Sequence, residues 1–493
     1  MIINTTGFPI EIQTAHSQYP EDLLTRSDTY FIENNGAAQY LLPSEPNHIF
    51  EGSIQDKSIN RSKINVKILY KGVPLIPNTT VNMDKSRVLT YSLHQPASKA
   101  LESQVLCSII QEVQCKKIIT LTSQIHITNK LTEICEVILE DGSERLAKEL
   151  VEDETMAIPI NFIPSGNFLI KYKNSNYSTN KISINSFLKD NKSSSLVCRV
   201  NSSCYLVFVC QKLQPDVPFY NIFLSPPLEI KNCCLVDFQY QLFEAENSRG
   251  GAFSGLIKAQ EAWKDTQVNP DSNPFIKIKL AGFNWSQKVR LPLEKNEEDS
   301  LREVYIKDET SSLKMIMKIP KGNKMSRKIL IYTEAYLINE TPFELEFKQL
   351  NEKIKEEKIK DLENFSGFFD IPLKTNSPQG IPCNDIQNMI LRTKRDNFRS
   401  RVFASNIPGS QSVELLNKEM ILELGVNTGF VECEKEHGIT AKIITISPRY
   451  ILVNNTEFDI EIGHQGGLVS TIIRSQKRAP LEQVYYSNNE NKK

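Results

Sequence analysis

The sequence is short of almost everything that reactive chemistry needs. It holds six histidines in 493 residues. They are His16, His48, His94, His126, His437 and His464, and none stands at His-Glu-x-x-His spacing. There is no Gly-x-x-x-x-Gly-Lys phosphate loop and no Gly-x-Gly-x-x-Gly turn among its 20 glycines. Ser254, in Gly251-Ala-Phe-Ser-Gly255, misses the spacing of a nucleophile elbow. The ten cysteines include no Cys-x-x-Cys pair, and the adjacent Cys233 and Cys234 cannot easily bridge each other. They read as reduced, partly buried thiols of a cytosolic protein, although sequons such as those at Asn78 and Asn284 point weakly the other way. Cys198, Cys204 and Cys210 fit no recognised metal-ligand spacing, so core cysteine is the better reading.

Excess charge is missing too. Lysine plus arginine total 58 against 59 for aspartate plus glutamate, for a net charge of -1. That balance gives no drive towards nucleic acid or an anionic membrane. Arg474, Lys477 and Arg478 form one local basic group, better read as a solvated loop. No apolar run approaches the roughly 18–20 residues of a membrane span. No catalytic residue, metal ligand or cofactor is therefore expected, and the chain reads as a non-enzyme. An enzyme here would need a site assembled from distant strands.

What the chain does have is a repeat. At 493 residues it exceeds one ordinary domain and suggests several modules. Five segments share a template around an asparagine: Asn4, Asn129, Asn232, Asn339 and Asn454, spaced by 125, 103, 107 and 115 residues. Ten and eight residues before the last four of these stand Ile119 and Leu121, Ile222 and Leu224, Ile329 and Ile331, and Ile444 and Ile446. Six and eight after stand Ile10 and Ile12, Cys135 and Val137, Phe238 and Tyr240, Leu345 and Phe347, and Ile460 and Ile462. All offsets are even and the intervening positions are mixed, the pattern of strands with one buried face. Glu133 interrupts this pattern in the second copy. Each asparagine falls on the apolar register. An inward amide must be hydrogen-bonded or it costs about 1–3 kcal/mol. The side chain suits the backbone of the turn that follows, Asn-x-Thr in the first, fourth and fifth copies. A buried polar latch between two strands is expected in every copy.

The remainder is strand-like: Phe168–Tyr172, Cys204–Cys210, Ile276–Leu280 and Met389–Leu391. Gly255–Trp263 has the pattern of a short helix, and the charged Leu350–Leu362 stretch reads as an exposed insertion. The expected fold is all-β, a tandem array of β-sandwich modules of roughly 100–125 residues. The boundaries read from the repeat are 1–116, 117–220, 221–327, 328–441 and a partial 442–493. The opening Met1-Ile-Ile-Asn4 enters a strand directly, as in a fragment of a longer protein, and Ser487–Lys493 read as disordered.

These repeats carry a family resemblance. Leu224-Ser-Pro-Pro-Leu-Glu-Ile-Lys-Asn232, Asp237–Leu242, Phe275–Ser286 and Ile444-Thr-Ile-Ser-Pro-Arg-Tyr-Ile-Leu-Val-Asn454 resemble one region of the vacuolar protein sorting thirteen family. That family comprises chorein-type bridge-like lipid transfer proteins, and the region is its adaptor-binding (SHR-binding) part. Ser-Pro recurs at one offset before Asn232 and Asn454. The resemblance implies β-sandwich modules, each with one characteristic asparagine, that bind Pro-x-Pro motifs of organelle adaptors. It implies recruitment of the parent protein to organelle membranes or contact sites from the cytoplasm, with membrane engaged only indirectly. It also implies six modules where this chain shows five. Within Ile444–Arg474, Pro448, Arg449, Tyr450 and Asn454 are the expected peptide-binding residues. The alternative is a purely structural array packing within its own parent chain, and a direct lipid binder is a further reading. Nothing resembles a long hydrophobic groove for lipid transfer itself.

Overall fold

Alternation of buried and exposed residues builds every layer of this protein. The computed structural model describes residues 2–6, 9–14, 29–33, 36–38, 63–70, 73–74, 79–82, 87–92, 104–111, 117–142, 144–163, 165–172, 178–184, 194–201, 204–214, 217–246, 253–291, 299–307, 312–321, 325–350, 369–371, 381–384, 387–418, 420–463, 470–481 and 484–486. Among the described residues there is no α-helix, only the short 3-10 turn Ile160–Phe162. Of the expected elements, the Leu350–Leu362 insertion beyond Leu350 and the Ser487–Lys493 tail lie outside the described residues.

The asparagine strands are Ile2–Thr5, Ile125–Asn129, Leu228–Asn232, Ala335–Asn339 and Tyr450–Val453. Each is followed by a return strand: Ile10–Thr14, Cys135–Asp141, Phe238–Phe243, Leu345–Leu350 and Ile460–Gly463. In the first four copies the even-offset residues are buried on both strands. Glu133 does not disturb this, since Cys135 and Val137 keep the register at 0% exposure.

The two strands of each of the first three copies lie in different sheets, so the turn at the asparagine crosses from one layer of a sandwich to the other. The second copy shows the plan. One sheet holds the asparagine strand beside Val217–Ser225, Cys204–Gln214 and Ser194–Asn201. The other holds the return strand between Glu144–Leu150 and Asn167–Tyr172. Ile127, Val137, Phe168, Phe208 and Leu224 fill the space between them. Burying side chains of this size contributes about 1.5–3 kcal/mol each.

Each of the first four copies is closed by a strand from its far end. Asn4 stands opposite Leu121, Asn129 opposite Leu224 and Asn339 opposite Ile446, all in parallel pairs. In the third copy Arg327–Thr333 lies beside the asparagine strand, and the Cys233 amide donates to the Ile331 carbonyl at 2.8 Å. The aliphatic pairs read ahead of each asparagine are these closing strands. The boundaries expected at 116/117, 220/221, 327/328 and 441/442 therefore separate Lys117–Ser123, Val217–Ser225, Arg327–Thr333 and Ile439–Pro448, in whole or in part, from the strands they pair with. Sequence periodicity marks a strand but not which sheet it joins.

The chain forms two compact units: Met1–Leu228 with Lys264–Pro270, and Glu229–Trp263 with Asp271–Lys493. In the first unit, Ile160 of the 3-10 turn packs into the first copy's core, and its amide donates to the Thr6 carbonyl at 3.2 Å. In the second unit, the fourth copy has its two layers merged into one 11-stranded sheet. Arg399–Ser400 makes the join, bonding Asn388–Thr393 on one side and Gly409–Asn417 on the other. The helix expected over Gly255–Trp263 is absent. Phe253–Ile257 is an edge strand and Ala262–Asp265 flanks the asparagine strand, with a turn through Gln260 at φ 64 between them. The apolar residues there serve two strands of different sheets, which imitates helical spacing.

Candidate functional site

The five asparagines share one geometry. Their exposures are 0%, 0%, 0%, 1% and 2% in chain order. In each, Oδ1 accepts the backbone N–H two residues on: Thr6 at 3.1 Å, Leu131 at 2.9 Å, Cys234 at 2.8 Å, Thr341 at 3.0 Å and Thr456 at 3.0 Å. In four copies Nδ2 donates to the carbonyl four residues on, from Glu133, Val236, Phe343 and Phe458. Only backbone is involved, so the Glu133 side chain is free to point outwards.

The amide's other bond reaches the opposite layer. Nδ2 donates to Ile32, Leu150, Ile257, Ile371 and Ile473, at 3.0, 3.1, 3.0, 3.4 and 2.8 Å. Every one of these carbonyls ends the strand that pairs with the return strand. One side chain thus fastens its own turn and the far sheet together. The threonines of the Asn-x-Thr copies add a second bond to the same oxygen, at 2.8, 2.6 and 2.8 Å.

The chemically active side chains are occupied by the core. Cys135 and Cys233 are pushed up to about 12 by burial, and Cys198 and Cys210 up to about 11. Such thiols carry almost no thiolate near neutral pH. Cys204 donates to the Tyr172 hydroxyl at 3.5 Å and Cys210 lies in the second copy's core, so the three cysteines serve packing. Among the described residues no three potential metal ligands converge. His126 is lowered to about 4 by burial; it sits 2.7 Å from Thr122 Oγ1 and edge-on to Phe219. Arg474, Lys477 and Arg478 fall around a turn and a flanking strand of the fifth copy. His16, His48, His94 and His464 lie outside the described residues.

The four expected peptide-binding residues do not share one surface. Pro448 ends the closing strand opposite Leu424 and is half-buried. Arg449 and Tyr450 are exposed, with the guanidinium 5.8 Å from the ring centroid. Asn454 is buried, with both ends of its amide used by the fold. A strand edge lies beside them. Tyr450–Val453 pairs with Arg478–Leu481 on one edge and, among the described residues, with nothing on the other. Tyr450, Ile451 and Val453 are 42%, 54% and 61% exposed there. In the first, second and fourth copies the equivalent edge is covered by a strand about a hundred residues further along the chain.

A family model described as vacuolar-sorting associated protein 13, adaptor binding domain, matches residues 45–493. The chain belongs to that family. It is a family of non-catalytic binding modules, and its role is to bind adaptors. The all-β fold accords with the resemblance read from the repeats. No helix among the described residues is long and apolar enough to cross a membrane. No curated protein matches the chain. Two crystal forms of the pilus adhesin SpaC from Lactobacillus rhamnosus GG, one in an open conformation, are similar at 6% identity and a TM-score of 0.17. The similar regions cover 91% and 90% of this chain, but only 57% of the adhesin. A likeness at that TM-score carries no argument about role.

Two outcomes follow from the latch and from His126. Asn339→Ser keeps an acceptor but removes both amide donors, so the Ile371 carbonyl loses its bond from Asn339 and Phe343 keeps only the one from Thr341 Oγ1. It should cost its module about 2–4 kcal/mol. Hydrogen exchange around 335–347 should rise while exchange around 125–141 stays unchanged. His126 is held below its unfolded value, so the stability it contributes is present above about pH 6.5 and is lost as pH falls towards about 4. Denaturation of the second copy, followed by local exchange at pH 7 and pH 4.5, should show this loss, and His126→Leu should flatten it.

Proposed function

We propose that this array receives short Pro-x-Pro motifs of adaptor proteins and so recruits its parent lipid transfer protein to organelle membranes or contact sites. On this reading the region is cytoplasmic and touches membrane only through adaptors. The modules are taken to begin at their asparagine strands, which keeps each closing strand with its partner.

The observation that supports the reading is the match of residues 45–493 to an adaptor binding domain family, together with the exposed Arg449 and Tyr450 of the fifth copy. An extended peptide can add a strand to the edge of a sandwich sheet, with backbone bonds supplying affinity and side-chain contacts supplying specificity. Proline lacks an N–H and has φ preset, so a proline-containing segment loses less freedom on docking. The Tyr450 ring, with Arg449 over it, offers an aromatic surface suited to proline rings. Pro448 leads into the edge, and Asn454 holds the turn beneath it rather than facing the peptide.

Fluorescence anisotropy of the full chain with labelled Pro-x-Pro peptides tests this. Saturable binding should be lost when both prolines become alanine, and Tyr450→Ala should weaken it by about fivefold or more. Binding that ignores the prolines would overturn the reading. Absence of binding would favour the alternative, a purely structural β-repeat array packing within its own parent chain.

A further inference from the structure

The third copy departs from the others on the outer face of its return sheet. Seven residues after the asparagine, the return strand places an acid opposite a base in three copies: Glu11 opposite Lys67, Glu136 opposite Lys171 and Glu346 opposite Arg392. The first pair closes at 2.9 Å, and in the fourth copy Arg392 Nε donates to Glu346 at 2.8 Å. In the third copy the base is present as Lys279, but its cross-strand neighbour is Gln239.

That substitution leaves a field of one sign. Lys277 stands two residues from Lys279 on the same strand, opposite Gln241. Arg290 faces outwards from the neighbouring strand, and the Lys288 ammonium sits 4.2 Å over the Phe243 ring at the same end. The remaining outward positions are Ser254 and Leu256 on the edge strand and Phe275 in the centre. Among the described residues, this face of the sheet has no carboxylate. Gln239, Leu256 and Arg290 are exposed, and both lysines are partly so.

We infer that this face is a second docking surface, for an extended acidic segment of a protein partner. Lys277 and Lys279 project from one face about 7 Å apart, the side-chain repeat of an extended strand. A segment with carboxylates at alternate residues matches that repeat. The Gln239 and Gln241 amides lie beside it as neutral donors that do not repel it. Glutamate at the first of these positions, as in the neighbouring copies, would cancel Lys279 and oppose the segment. The surface is separate from the Tyr450–Val453 edge, and the inference does not rest on that reading.

The test uses the full chain and a short fluorescein-labelled peptide of alternating aspartate and serine, with alternating asparagine and serine as control. The acidic peptide should bind saturably at about 0.01 M salt and weaken by about tenfold or more at about 0.15 M. Gln239→Glu should weaken it by about fivefold or more with unchanged melting and unchanged Pro-x-Pro binding. Lys277→Glu with Lys279→Glu should abolish it. Equal binding by the Gln239→Glu chain, no binding at low salt, or preference for phosphatidylserine vesicles over the peptide would overturn the inference.

Discussion

A buried carboxamide is the interaction on which each module depends. The position demands a side chain that accepts from the turn and donates twice, once to that turn and once across to the other layer. Aspartate lacks the donors, and serine has one proton and shorter reach. Asparagine alone among short side chains has both ends. The cross-layer bond runs to the end of a strand, where a backbone carbonyl has run out of sheet partners. The latch therefore satisfies an otherwise orphaned group while setting the angle at which the chain changes layers.

The second constraint is closure. The strand that completes the asparagine sheet returns after the whole module has been traversed, so its parallel pairing is as non-local as the module permits. Such contacts form only after loop-closure entropy has been overcome, which makes a module's parts mutually dependent. Within the first unit, Ile160 carries this dependence from the second copy into the first. In the fourth copy the layers are fused through Arg399–Ser400.

Among the described residues the sandwich interiors are filled by packed side chains, so edges and outer faces are the surfaces left for partners. The third copy offers a face where Lys279 stands opposite Gln239 in place of an acid. The buried cysteines and His126 belong to the other side of this division. Their altered acidities are consequences of packing, and they mark the core.

The sequence by itself determined the alternation, the asparagines and the all-β class, because a strand's buried face repeats every second residue and can be read locally. It also holds Gln239 where the four other copies have glutamate, although that mattered only once Lys279 was seen opposite. Tertiary structure decided which sheet each strand joins, since Leu121 and Ile446 look alike whether they open a module or close one. It also decided that Phe253–Ile257 and Ala262–Asp265 are strands and not a helix, as two different sheets claim their apolar residues. A strand's burial depends on neighbours about a hundred residues distant, and no local pattern records whether such a neighbour is in place.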